Sequence, residues 1–301
     1  MKQAGYILII VSIMLLSCTS FAQGNRKMYG ITIDGINNIN SIVTAISSHR
    51  YRMTTRIVFD EWVAASAYSS AVNKLDSVTV IMGELLDSYY VKDYTVHQYK
   101  LRTDEYLNAL GSKVDIWEIG NEVNGEWLGP ADSVKAKINY AYDKAKSMQY
   151  RTALTLYYNK NCWENPQNEM FRWVNSHISN DMKQGLDFVF VSYYEDDCNN
   201  LQPNWQVVFD SLHVLFPNSN LGIGECGTNI AGRKEEYINR YYNMYITTPR
   251  YIGGYFWWYY RQDCVPWTTK PLWGVLDYAV RSSALFYNLD EHELIKDGDG
   301  Y

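Results

Sequence analysis

Short apolar runs rich in β-branched and aromatic residues alternate along the chain with longer stretches in which apolar residues recur every three to four positions. The runs fall at 28–34, 55–60, 77–82, 114–120, 152–158, 186–192, 221–224 and 251–257. Helical spacing occupies 39–48, 131–147, 167–178, 205–216 and 234–246 between them, and 275–289 follows the last run. Eight such units, with no Pro/Gly/Ser-rich linker and no low-complexity stretch, predict an α/β fold in a single domain, a (β/α)8 TIM barrel. A doubly wound open sheet would announce a Gly-rich phosphate loop after an early strand. Gly30-Ile31-Thr32-Ile33-Asp34-Gly35 lacks that pattern.

The length of 301 residues suits one barrel plus a short processing segment. Residues 1–22 read as a signal peptide: Lys2 supplies positive charge, Tyr6 to Leu16 an apolar stretch, and Ser20-Phe21-Ala22 a small-residue cleavage site. The barrel domain then covers 23–301. Leu15-Leu16-Ser17-Cys18 also resembles a bacterial lipoprotein signal that would leave Cys18 lipidated, but Leu16 fits that motif poorly and cleavage after Ala22 is favoured. No later apolar run reaches the ~20 residues that a membrane helix needs. The expectation is an exported protein, periplasmic or extracellular, off the membrane unless Cys18 anchors it.

Composition narrows the function classes. The chain is 47% hydrophobic and 20% charged with a net charge of -6, and without a basic run it offers no footprint for nucleic acid. Its 27 Tyr and 10 Trp either fill the core or line a wet cleft, since both combine an apolar face with a polar edge. His49, His97, His177, His213 and His292 show no paired ligand spacing and no Cys-x-x-Cys occurs, so neither a metal nor another cofactor is expected. No Gly-x-Ser-x-Gly elbow is present. The acidic tail 290–301 reads as a solvated end, its Asp297-Gly298-Asp299-Gly300 being too short for a calcium loop. Beyond the leader, Cys162, Cys198, Cys226 and Cys264 fall just after strands five to eight. Neighbouring loops favour bridges Cys162–Cys198 and Cys226–Cys264, against four free thiols.

Candidate chemistry sits in Trp117-Glu118-Ile119-Gly120-Asn121-Glu122 and Gly222-Ile223-Gly224-Glu225-Cys226-Gly227, each of which puts a glutamate at the end of an apolar run. An isolated ionised carboxylate is costly in a low-dielectric interior, so two at strand ends point to a solvated cleft where the pair does chemistry. In the strand count Glu122 and Glu225 fall at the C-terminal ends of strands four and seven, the functional face of such a barrel. The alternative is a pair of N-caps or loop ion pairs. Glu118 shares the strand parity of Glu122 and is expected one layer below it, buried and hydrogen-bonded.

With these motifs the chain resembles the clan A glycoside hydrolases, retaining (β/α)8-barrel sugar hydrolases. The resemblance rests on Asn121-Glu122 at strand four, Glu225 at strand seven, Trp257-Trp258 closing strand eight, and Trp273-Gly274-Val275-Leu276-Asp277 opening the last helix. It implies that Glu122 is the acid/base and Glu225 the nucleophile, that Asn121 bonds the sugar 2-OH, and that Trp257 and Trp258 form an aromatic platform. Arg56 would orient the nucleophile, unless it merely pairs with Asp60. Of Tyr193 and Tyr194, one would bond the nucleophile and the other pack, Tyr194 being preferred for the first role. Val123 stands where many members carry Pro, and Ser192 where many have His, so no family within the clan is assigned. The implied function is a retaining glycosidase acting on a β-linked extracellular oligo- or polysaccharide, with Trp62, Trp127, Trp163, Trp205, Trp257, Trp258 and Trp267 as candidate stacking residues. A non-catalytic glycan-binding barrel and an exported scaffold are the competing readings.

Overall fold

A computed structural model describes residues 27–296. The leader expected over 1–22, Cys18 and the end of the acidic tail at 297–301 lie outside the described residues. The strands are β1 (Met28–Ile33), β2 (Thr54–Val58), β3 (Val80–Glu84), β4 (Ile116–Gly120), β5 (Arg151–Tyr157), β6 (Phe188–Tyr193), β7 (Asn220–Cys226) and β8 (Tyr251–Trp257). All pair in parallel in chain order, and β8 closes on β1, giving the expected (β/α)8 barrel. The outer helices are α1 (Ile39–Ser47), α2 (Ser69–Asp76), α3 (Val96–Leu110), α4 (Ala131–Ser147), α5 (Met170–His177), α6 (Asn180–Gly185), α7 (Trp205–Leu215), α8 (Lys234–Tyr242), α9 (Tyr260–Cys264) and α10 (Pro271–Lys296). The pattern of apolar positions predicts neither α2 nor α3, and α10 carries helix into the expected tail. Among the described residues no helix is long and apolar enough to cross a membrane.

Successive strand residues face opposite sides of the sheet, which divides the core into two layers. Met82, Ile116, Ala153, Phe188, Phe190, Ile252 and Phe256 pack inside the barrel, while a larger cluster including Ile57, Trp117, Leu154, Val191, Ile223 and Trp257 packs between sheet and helices. Two irregularities in this alternation set the site. In β4 the register runs Glu118↔Ala153 and then Gly120↔Leu154, so one extra residue separates the inward Glu118 from the turn that carries Asn121 and Glu122. In the β6–β7 ladder Val191 pairs with Ile223 but Ser192 pairs with Glu225. The extra residue is Gly224, and such a bulge re-aims the side chain that follows it. Strict alternation would have turned Glu225 toward the helices; the bulge turns it into the barrel mouth and leaves Cys226 in the outer layer. A Cβ on Gly224 would stand 2.5 Å from the Cβ of Phe190 and 3.1 Å from Thr155 Cγ2, so only glycine fits this close approach.

Cys162 and Cys198 form a disulfide that ties the loop after β5 to the turn after β6. The second expected bridge is corrected: Cys226 and Cys264 are free and buried. Cys226 is the last residue of β7 rather than a loop residue, its side chain is committed to the outer core, and its thiol bonds the Tyr255 carbonyl at 3.1 Å.

Candidate active site

Glu122 follows β4 with a left-handed backbone, φ 45°, a conformation that costs a non-glycine residue energy and recurs at functional sites. It is 8% exposed and Glu225 is 6% exposed, so both carboxyls are shielded but neither is sealed. Ser192 Oγ donates to Glu122 Oε1 at 2.6 Å, and Ser88 Oγ donates to Oε2 at 2.7 Å. Burial, and after it the charge of Glu225, push the Glu122 carboxyl up to about 8, although both serine hydroxyls pull the other way. Glu122 therefore holds its proton at neutral pH.

Glu225 is held differently. Arg56 Nη2 pairs with its Oε2, Arg56 Nη1 donates to the Gly224 carbonyl at 3.0 Å, and the Tyr194 hydroxyl donates to its Oε1 at 2.5 Å. A guanidinium and a phenol thus hold this carboxyl in place from two sides. Burial and the neighbouring charge of Glu225 push Tyr194 well above the usual phenol range, so it remains a donor. Arg56 is fully buried, which works against its charge, but the neighbouring Glu225, Glu84 and Glu118 side chains together outweigh that cost and hold it charged. Asp60 takes no part in this: its Oδ2 accepts from the Tyr68 hydroxyl at 2.7 Å. One proton-bearing carboxyl and one anchored carboxylate thus meet in one mouth, an arrangement suited to general acid and nucleophilic work.

Asn121 is positioned from both sides. Its Oδ1 accepts the Ser88 backbone N–H at 3.1 Å, and its Nδ2 lies 3.4 Å from Glu118 Oε1. Glu118 lies in the buried layer below, as its parity indicates, with the Thr155 hydroxyl donating to the same Oε1. Trp127 donates its indole N–H to Ser88 Oγ at 3.0 Å and meets the Tyr157 ring edge-on at 5.1 Å. The Arg56 guanidinium carbon lies 5.4 Å from the centre of the partly exposed Trp258 ring.

Two candidates stand elsewhere, both through strand alternation. Tyr193 follows the inward Ser192 and so faces the helices; it is fully buried, packs on Tyr158 and Trp205, and gives its hydroxyl to the Leu201 carbonyl. Trp257 follows the inward Phe256 and is likewise fully buried, its indole N–H bonded to Asp263 at 2.9 Å. Neither reaches a ligand in the mouth. Trp205 packs with Tyr193, and Trp267 with Trp273. Trp62 remains 59% exposed after β2, stacked on Tyr94 at 3.9 Å, and Trp163 lies exposed beside the disulfide. Ser88 was not marked by any sequence pattern, and Ser192 only as a departure from histidine.

No protein-family model matches the chain, and neither does any curated protein sequence. Among solved structures it is similar to Saccharomyces cerevisiae Gas2p in complex with laminaripentaose, at 12% identity and a TM-score of 0.52, over 79% of this chain and 58% of that one. A Gas2p complex with a compound matches at 12% identity and a TM-score of 0.53 over the same shares. An apo β-glucosidase matches at 12% identity and a TM-score of 0.48, over 73% of this chain and 76% of that one. The chain therefore spans little more than half the length of Gas2p, and the likeness at this identity is one of fold: an eight-stranded parallel barrel.

Proposed function

We propose that the protein is a retaining glycoside hydrolase that cleaves a β-linked glycan, with Glu225 as nucleophile and Glu122 as acid and then base. The observation that carries this reading is the division of labour between two carboxyls in one mouth: Glu122 holds a proton up to about pH 8, while Glu225 is anchored by Arg56 and Tyr194.

In the first step the Glu225 carboxylate attacks the anomeric carbon as Glu122 gives its proton to the departing glycosidic oxygen. The negative charge moves from Glu225, now an ester, to Glu122, where the hydroxyls of Ser192 and Ser88 receive it. With the neighbouring charge gone, Glu122 is fit to take a proton from water. That water attacks the anomeric carbon, the ester bond breaks, and Glu225 returns to its ion pair with net retention of configuration. Asn121, fixed between Ser88 and Glu118, is suited to the sugar 2-OH, and Trp258 and Trp127 supply aromatic faces beside the carboxyls.

The laminaripentaose complex of Gas2p recommends β-glucan oligosaccharides as the first substrates to try. Residues 1–22 and the Cys162–Cys198 bridge support export. A panel of aryl β-glycosides and laminarioligosaccharides, run beside Glu225→Gln, tests the proposal. Turnover by the wild type and none by the variant is expected; binding without turnover by both would leave a glycan-binding barrel instead.

A further inference from the structure

Below the mouth the barrel buries a second pair of acids that take no part in the proton and glycosyl transfers just described. Glu84 ends β3, Glu118 lies in β4, and the two are register partners, so their side chains leave the same face of a parallel sheet side by side. Both side chains are 0% exposed and share one cation. Arg56 Nε is 3.1 Å from Glu84 Oε2 and 3.7 Å from Glu118 Oε2.

Their hydrogen bonding is unequal. Glu118 Oε1 receives the Thr155 hydroxyl and Asn121 Nδ2, whereas Glu118 Oε2 and both oxygens of Glu84 receive no hydrogen bond. Arg56 also serves Glu225, so three ionised carboxylates would face a single guanidinium, two of them with fully buried side chains. Adjacent buried carboxyls that cannot both ionise share a proton. The charged groups facing Glu84 are Arg56 from β2, Glu118 from β4, Glu225 from β7 and Asp87 from the turn after β3; three of these four are acidic. Burial pushes Glu84 well above the usual carboxylate range and also raises Glu118, with Arg56 only partly opposing.

We propose that Glu84 and Glu118 are positioning residues that form a dyad sharing one proton, and that its single negative charge balances Arg56 from below. Glu225 then meets a guanidinium whose charge is already partly spent, which keeps the carboxylate anchored yet nucleophilic, and Arg56 retains a counter-ion while Glu225 carries a glycosyl group. The role in catalysis rests on Glu225 being the nucleophile; the shared proton does not.

Thermal melts count the proton without any substrate. In the unfolded chain both glutamates titrate at about 4.3, so a proton kept by the fold makes stability fall as pH rises from there through the folded value of the dyad. Glu84→Gln leaves Glu118 alone with Arg56 and removes the retained proton, as Glu118→Gln does from the other side. The Tm difference, variant minus wild type, should climb by about 3 °C or more between about pH 5 and pH 8 for each. Glu122 is common to all three proteins and cancels. A difference that stays flat across this range overturns the dyad, and if one variant fails to fold, the other carries the same test.

The pH dependence of kcat/KM on a turned-over glycoside tests the positioning role. Each single variant still places one negative charge under Arg56, and is expected to lose about threefold in kcat while its acid limb stays in place. Glu84→Gln/Glu118→Gln removes that charge, and its acid limb should move down by about one pH unit with a loss of about tenfold or more in kcat. Equal shifts in the single and double variants would overturn the single-charge dyad. Turnover of no glycoside at all would overturn the functional reading while leaving the melts to decide on the proton.

Discussion

Ser192 stands in register beside Glu225 across the β6–β7 ladder, yet its hydroxyl donates 2.6 Å away to Glu122. β6, the strand paired with the one that carries the nucleophile candidate, thereby reaches the acid candidate through one small side chain. Because this bond favours the ionised form, its loss should raise Glu122 above about 8. Ser192→Ala is expected to move the basic limb of kcat/KM to higher pH and to lower kcat by about tenfold, Glu122 being then a weaker and less well-held acid. A pH–rate profile checks the direction; a shift to lower pH would contradict the assignment.

Under the proposed mechanism the first step needs Glu122 protonated, so kcat/KM should hold to about pH 8 and decline above it. The same proton has a stability consequence. Glu122 is raised in the fold, so its contribution to stability is whole below about pH 4.3, its unfolded value, and falls as pH rises through about 8. Glu122→Gln should therefore melt higher than the wild type at pH 8, with the gain fading toward about pH 4.5. Melts across this range measure it.

Tyr194 gives Glu225 a hydrogen bond of 2.5 Å from a phenol that stays protonated. Tyr194→Phe removes the donor and keeps the ring. A loss of about 10- to 100-fold in kcat is expected with a stability change of about 1 kcal/mol, read by steady-state kinetics and denaturant unfolding.

Arg56→Met strands Glu84, Glu118 and Glu225 without their shared cation. Breaking a buried pair from one side costs about 3–5 kcal/mol. The loss should be greater at pH 8 than at pH 5, because at the lower pH the stranded carboxyls escape part of the cost by protonation. Urea unfolding at the two pH values provides the comparison.

The barrel was legible because eight apolar runs and their intervening periodicity survive in the sequence, and the starts of α1, α4, α7 and α8 coincide with the periodic stretches. α3 was not, since its exposed face is crowded with polar residues, although Thr95 and Gln98 form a capping box that marks its first turn. Glu122, Glu225, Arg56, Asn121 and Tyr194 converge as their strand ends suggest. Tyr193 packs, the role left to it once Tyr194 takes the nucleophile, and Trp257 does not reach the mouth, because every second residue of a strand end still turns outward. Glu84 is not legible as a strand-end acid because β3 runs two residues past the apolar run that foretells it, and so ends on a third terminal glutamate. The bulge at Gly224 leaves no trace in composition or period beyond the glycine itself, and it decides which way Glu225 points.

Chemical rescue tests the central assignment most directly. Glu122→Ala, given an aryl β-glycoside that the wild type turns over and whose leaving group needs little protonation, should still form the ester on Glu225 but release it slowly. Added azide should then restore the rate and yield a glycosyl azide of β configuration, the anion attacking from the side that Glu122 vacated. An azide product of α configuration, or no rescue on a substrate that the wild type cleaves, would contradict a double displacement through Glu225.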